Sequence, residues 1–149
     1  MATWDNTTLT TTATLTTHEY EITNLVNSTN LTNKITLAKS LLKNQIEKML
    51  REMNRDWSID YSAGEELINV IANKDIYTNS CDYKTLELIY LDLSQGNQDT
   101  IYYQKMVEYR ERFLNEFNIA SSATDYDWDQ DGTTDEYKLR SYKVARVSR

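Results

Sequence analysis

The sequence predicts an all-α protein: a compact bundle of about five helices with an extended N-terminal arm and an extended C-terminal tail. Proline is absent, and glycine occurs only at Gly64, Gly96 and Gly132. Both residues interrupt helices, so their scarcity permits long ones. Several segments also repeat their apolar residues every three or four positions, which sets one face of a helix against a core. The chain has 149 residues, the size of one domain, and such a chain buries roughly 68–70% of the surface its unfolded form exposes. The predicted division is a Thr-rich arm over 1–15, a helical bundle over 16–120, and an acidic turn with a basic docking tail over 121–149.

The run over 7–17 is rich in threonine, and its β-branched side chains favour an extended arm. A first helix is expected from Thr16, where Thr16 and Glu19 have capping-box spacing and Leu15 and Tyr20 have the spacing of a hydrophobic staple. Ile22, Leu25 and Val26 give it a short apolar face before Asn27, Ser28, Thr29 and Asn30 interrupt. The clearest helix is expected over 33–53. Leu31, Ile35, Ala38, Leu42, Ile46, Met49 and Met53 form its single stripe. A third helix is expected from Ser62, with Glu65 completing a second capping box and Leu67, Ile68, Val70 and Ile71 facing inward. A fourth follows Asp82, presents Leu86, Ile89, Tyr90 and Leu93, and stops at Gly96. The fifth opens at Asn97 and runs to Asn118 with Tyr102, Met106, Tyr109, Phe113 and Phe117 on its stripe. After Ala120 the apolar periodicity ends.

The residue inventory argues against an enzyme. Cys81 is the only cysteine and His18 the only histidine, so disulfides within the chain and multi-cysteine zinc sites are excluded. His18 is expected to face solvent in the first turn of the first helix. Cys81 precedes a predicted helix, a placement that lowers thiol pKa values, but the neighbouring Asp82 opposes that. Three isolated glycines cannot build a P-loop or a dinucleotide-binding fingerprint. The carboxylate pairs Glu65–Glu66 and Glu108–Glu111 fit solvated helix faces. The first 17 residues have neither the basic run nor the apolar block of a signal peptide, and no stretch approaches the roughly 20 apolar residues of a membrane span. The sequons at Asn6, Asn27 and Asn30 then follow from Thr- and Asn-rich composition.

Charge is unevenly placed. The formal net charge of −7 argues against general nucleic-acid binding, which needs a basic surface. Between Asp125 and Glu136 there are six acidic residues and no basic one. Beyond them lie five basic residues and no acidic one: Lys138, Arg140, Lys143, Arg146 and Arg149. The acidic stretch contains D-x-D-x-D-G. With Asp127 as the first position, calcium ligands would come from Asp127, Asp129, Asp131, the Thr133 carbonyl and Asp135, with Gly132 at the bend. The bidentate glutamate of an EF-hand is missing, because Lys138 occupies the twelfth position and Glu136 falls two places early. A solvated acidic turn pairing with the basic tail is the competing reading of the same residues.

From Leu86 onward the order is an apolar helix, then Ser94-Gln95-Gly96-Asn97-Gln98-Asp99. A Tyr-rich helix follows, containing Lys105-Met106-Val107-Glu108-Tyr109-Arg110-Glu111-Arg112-Phe113, then the D-x-D-G turn and a basic C-terminus. This pattern resembles the head-to-tail adaptor (head-completion, or connector) proteins of tailed bacteriophages. The resemblance covers about two thirds of the chain and rests on an order of elements, not on an active-site motif. It implies a structural subunit of the virion neck, made in the host cytoplasm. Copies of it, usually twelve, would form a ring below the portal protein and above a stopper or tail-completion protein. DNA would pass through the channel without sequence-specific binding, with no membrane involved. The residues matching the portal-docking arm of such adaptors are Tyr137, Lys138, Leu139, Arg140, Tyr142, Lys143, Val144, Arg146, Val147 and Arg149. An acidic body suits a channel along which DNA slides. The resemblance does not extend to the Thr-rich N-terminus. From a different class, a small calcium-responsive helical protein-binding module would use the acidic turn as its sensor.

Overall fold

The computed structural model describes residues 3–53 and 66–127. Among them, 74% of residues are helical and no strand forms. Five α-helices follow in order: α1 (Thr12–His18), α2 (Ile22–Leu25), α3 (Ser28–Met53), α4 (Thr78–Ser94) and α5 (Ile101–Ser122). Two 3-10 turns, Leu67–Val70 and Lys74–Tyr77, lead into α4. None of these helices is long and apolar enough to cross a membrane.

The long helices form where the apolar stripes predict them, but their ends lie elsewhere. α3 starts at Ser28 because Asn27 caps it: its Oδ1 accepts the Asn30 backbone N–H at 2.9 Å. The Asn-Ser-Thr-Asn run is thus the first turn of α3 rather than an interruption. Leu31, Ala38, Leu42, Ile46 and Leu50 are buried along α3, with Ile35 and Met49 half-buried. α4 begins four residues before Asp82, which places Cys81 and Asp82 inside the helix and wholly buried. Burial pushes the Cys81 thiol up to about 11. α4 ends as expected near Gly96, with Gln95 (φ 51°) and Gly96 (φ 77°) both left-handed. α5 starts at Ile101, capped by the Thr100 hydroxyl on the Tyr103 N–H at 3.2 Å. In place of a third helix, Leu67–Val70 forms one 3-10 turn whose Leu67, Ile68 and Val70 are buried. Ser62 and Glu65 lie outside the described residues.

The N-terminal region departs most from expectation. The arm gives way to helix at Thr12, four residues early, because Thr11 and Thr14 form the capping box that was assigned to Thr16 and Glu19. The shift leaves Tyr20 78% exposed, outside any staple. His18 consequently falls in the last turn of α1 and is not solvent-facing: its Nε2 lies 3.3 Å from Asp82 Oδ2. The Thr14 hydroxyl donates to Asp82 Oδ1 at 2.9 Å. Burial raises the Asp82 pKa, against the pull of the nearby hydroxyls and His18. The arm itself lies against the body. Trp4 and Leu9 are buried in the core, and the Trp4 ring meets Tyr77 edge-on with centroids 6.5 Å apart. Lys39 of α3 holds the arm by donating to the carbonyls of Thr7 (2.6 Å) and Asp5 (3.3 Å).

Two apolar clusters hold the fold. One gathers Trp4, Leu42, Ile46, Ile68, Phe113 and Tyr126 around Tyr77, and the other gathers Leu15, Ile22, Leu31, Leu86, Met106 and Tyr109 around Tyr90. In the second, Tyr83, Tyr109, Tyr90 and Tyr102 stack in sequence, with successive centroids 5.9, 5.9 and 6.1 Å apart. Glu19, which caps the end of α1, closes this array. It accepts both a two-oxygen contact from Lys105 (2.9 and 3.0 Å) and the Tyr109 hydroxyl (2.7 Å). Burial alone would raise the Glu19 pKa, but Lys105 and Tyr109 outweigh it and hold the carboxyl below its ordinary value.

A group with a lowered folded pKa stabilises the native state above its unfolded pKa and loses that stabilisation as pH falls through the folded value. Glu19→Gln is therefore expected to cost about 1–2 kcal/mol at neutral pH. That cost should shrink through the acid range below the usual carboxylate pKa. Asp82, whose folded pKa is raised, contributes with the opposite sign in acid and cancels when the variant is compared with the parent. Thermal melts of both proteins across the acid range check this. A constant difference at every pH would show that the Glu19 charge contributes nothing.

Candidate docking segment and its anchor

The candidate site is the C-terminal segment, and the described residues reach its root. α5 runs two residues past Ala120, and the chain then folds back against the 3-10 turns. Ile71 and Tyr126 form an isolated antiparallel bridge. The Ala72 N–H donates to the Asp125 carbonyl at 2.9 Å, and the Asp127 N–H donates to the Val70 carbonyl at 2.6 Å. Asn73 reinforces the pairing from both ends. Its Oδ1 accepts the Asp125 N–H at 2.8 Å, and its Nδ2 donates to the Ala123 carbonyl at 3.2 Å. The Thr124 hydroxyl lies 2.7 Å from the Tyr77 hydroxyl and donates to the Ala120 carbonyl at 2.7 Å.

This arrangement satisfies backbone groups that a chain leaving a helix would otherwise bury without partners. Tyr126 is 3% exposed within the first apolar cluster, and burial pushes its hydroxyl pKa well up. Lys74 is buried too and donates to the Ile71 carbonyl at 2.5 Å. Burial lowers the Lys74 pKa, and the charge of Asp127 opposes that shift. The exit of the chain from the body is therefore fixed by a bridge, a side-chain amide and a buried hydroxyl pair.

Of the proposed calcium ligands, Asp127 is the one described. It is 2% exposed, and its charge opposes the lowering of the Lys74 pKa by burial. Asp129, Asp131, Thr133 and Asp135 lie outside the described residues. The same holds for Tyr137, Lys138, Leu139, Arg140, Tyr142, Lys143, Val144, Arg146, Val147 and Arg149. Among the described residues, no group of three or more His, Cys, Asp or Glu side chains is placed to hold a metal ion.

Sequence reasoning missed the anchor itself. Asn73 and Thr124 stand in stretches without periodicity, and Tyr126 sits in the acidic run. The available signal was an aromatic residue between two carboxylates, Asp125-Tyr126-Asp127. Comparison with protein-family models, with curated proteins and with solved structures finds no match.

Proposed function

We propose that the chain is a structural adaptor subunit of the neck of a tailed bacteriophage, which rings the channel below the portal and joins head to tail. In this reading residues 137–149 dock on the portal protein, the body contacts further copies of itself, and a stopper or tail-completion protein binds the opposite side. The observation that carries the proposal is the anchored exit at Tyr126. A helical body holds Tyr126 by the bridge to Ile71, ahead of a segment over 137–149 that bears five positive side chains and no negative one. The other 136 residues hold 11 basic against 23 acidic side chains, a net −12. A body of that charge repels DNA phosphates and so lines a channel without gripping its contents. The tail has the opposite sign and fits an acidic groove on a partner. Tyr137, Leu139, Tyr142, Val144 and Val147 add apolar contact area to that docking.

The test is truncation. A chain lacking residues 138–149 is expected to melt within about 1 kcal/mol of the parent, because the anchor through Asp127 is intact. It should nevertheless fail to restore tails to heads that lack their own copy. Reversing charge at Lys143 and Arg146 should weaken attachment most at low salt, since exposed ion pairs are screened by added ions. If heads supplied with the truncated chain gain tails at the normal yield, the tail is not the docking segment.

A further inference from the structure

Helix α3 has an outer face that neither apolar cluster uses. Ten residues from Ser28 to Asn44 are exposed, and none of them is charged. In a chain whose residues are 26% charged, a solvated helix face ordinarily carries several ionised side chains. The three lysines of the same stretch are half-buried and engaged elsewhere: Lys34 with Asp92, Lys39 with the arm carbonyls, and Lys43 with Glu66. Asn30, Asn33, Leu37, Leu41 and Asn44 are spaced 3, 4, 4 and 3 apart, with Ser40 alongside, so they lie in one strip along the helix. The strip is about 20 Å long. Leu37 and Leu41, at its middle, are 43% and 37% exposed. Charge returns only toward the end of the helix, at the exposed Lys48, Arg51 and Glu52.

We propose that two copies of this chain pair through this strip, their α3 helices antiparallel about a two-fold axis near Leu37 and Leu41. Each copy carries a net charge of −7, so copies repel wherever their carboxylates face each other. The strip brings them together with no like charges apposed and no ion to desolvate. A two-fold interface must also complement itself. Asparagine amides and serine hydroxyls each offer both donors and acceptors, so this strip can hydrogen-bond to an identical one while the leucines meet across the axis. The Thr36 hydroxyl already donates to the Thr32 carbonyl at 3.1 Å, so covering it strands no donor. The antiparallel direction keeps Lys48 and Arg51 of one helix away from the same residues of the other. A contact of this length belongs with the small, transient interfaces, which corresponds to a Kd on the order of 0.1 mM. A two-fold contact closes on a dimer and builds no ring. It is therefore additional to the contacts of the neck reading and stands or falls separately from them.

The test is sedimentation equilibrium of the full chain at concentrations from well below to well above that Kd, where a reversible monomer–dimer equilibrium is expected. Leu37→Glu combined with Leu41→Glu sets two carboxylates of each copy against those of the other, and should raise the Kd at least about a hundredfold. Leu114→Glu makes the same chemical change on α5, where Leu114 is 50% exposed, and should alter the Kd less than about twofold. All three positions are exposed, and circular dichroism checks that the variants fold. A second measurement uses thiols. Leu37→Cys is expected to give a disulfide-linked dimer on air oxidation and Leu114→Cys is not, with no background from Cys81, which is fully buried. A parent chain that stays monomeric at the highest concentration would overturn the proposal and leave the face to a different protein. So would equal losses of dimer in the α3 and α5 glutamate variants, which would place the association elsewhere.

Discussion

Leu42→Asp is expected to leave no cooperatively folded protein at neutral pH. Leu42 is fully buried in the middle of α3, in the cluster that joins the arm to the long helices. The substitution forfeits about 1.5–3 kcal/mol of apolar burial. It also forces a carboxylate into a site with no partner, at a cost of several kcal/mol more. A domain of this size has only about 5–15 kcal/mol of net stability to lose. Leu41→Asp, one residue earlier and 37% exposed, makes the same chemical change on the outer side of the helix. It should shift stability by roughly 0.5 kcal/mol or less. Circular dichroism melts of the pair separate the two positions, and a normal melt for Leu42→Asp would mean that the stripe does not face a core.

Trp4→Ala is expected to cost about 3–5 kcal/mol, as for other large aromatic side chains removed from a core. For a chain of this length the corresponding fall in Tm is about 10 °C. Trp4 is 1% exposed, packs edge-on against Tyr77, and donates its backbone N–H to Asn69 Oδ1 at 2.9 Å. The arm that contains it has no regular helix before Thr12, yet it belongs to the same cooperative unit as α3 and α4. Differential scanning calorimetry reads the effect directly. An unchanged Tm would make the arm an appendage.

The helical class and the faces of the long helices were legible because a 3.6-residue stripe has one physical meaning at that length. Leu42, Ile46, Phe113 and Phe117 needed no tertiary knowledge to be placed inside. The ends were harder to read. Thr11–Thr14 and Thr16–Glu19 both have capping spacing, and what decides between them is the reach of Thr14 and His18 to Asp82, a contact spanning more than sixty residues. The stretch after Ser62 looked helical because four apolar residues stand close together. Their burial is achieved instead by a 3-10 turn that leaves Val70 and Ala72 free to pair with Asp127 and Asp125. No local pattern announces a pairing of that kind. Tyr126 was invisible for the same reason: its partners are fixed by the fold, while its immediate sequence neighbours are Asp125 and Asp127. The charged character of the C-terminal segment, in contrast, was evident from composition alone.

The central proposal is that this body rings a DNA channel and reaches the portal by its C-terminal segment. A cryo-electron microscopic reconstruction of the virion neck tests it most directly. The account predicts a ring of density immediately below the portal into which α3, α4 and α5 fit as one rigid group. From the position of Tyr126 in each copy, further density should lead to the portal surface and end there on acidic side chains. A neck whose ring density cannot accommodate the three long helices would contradict the account. So would a fit that turns Tyr126 and the chain beyond it away from the portal.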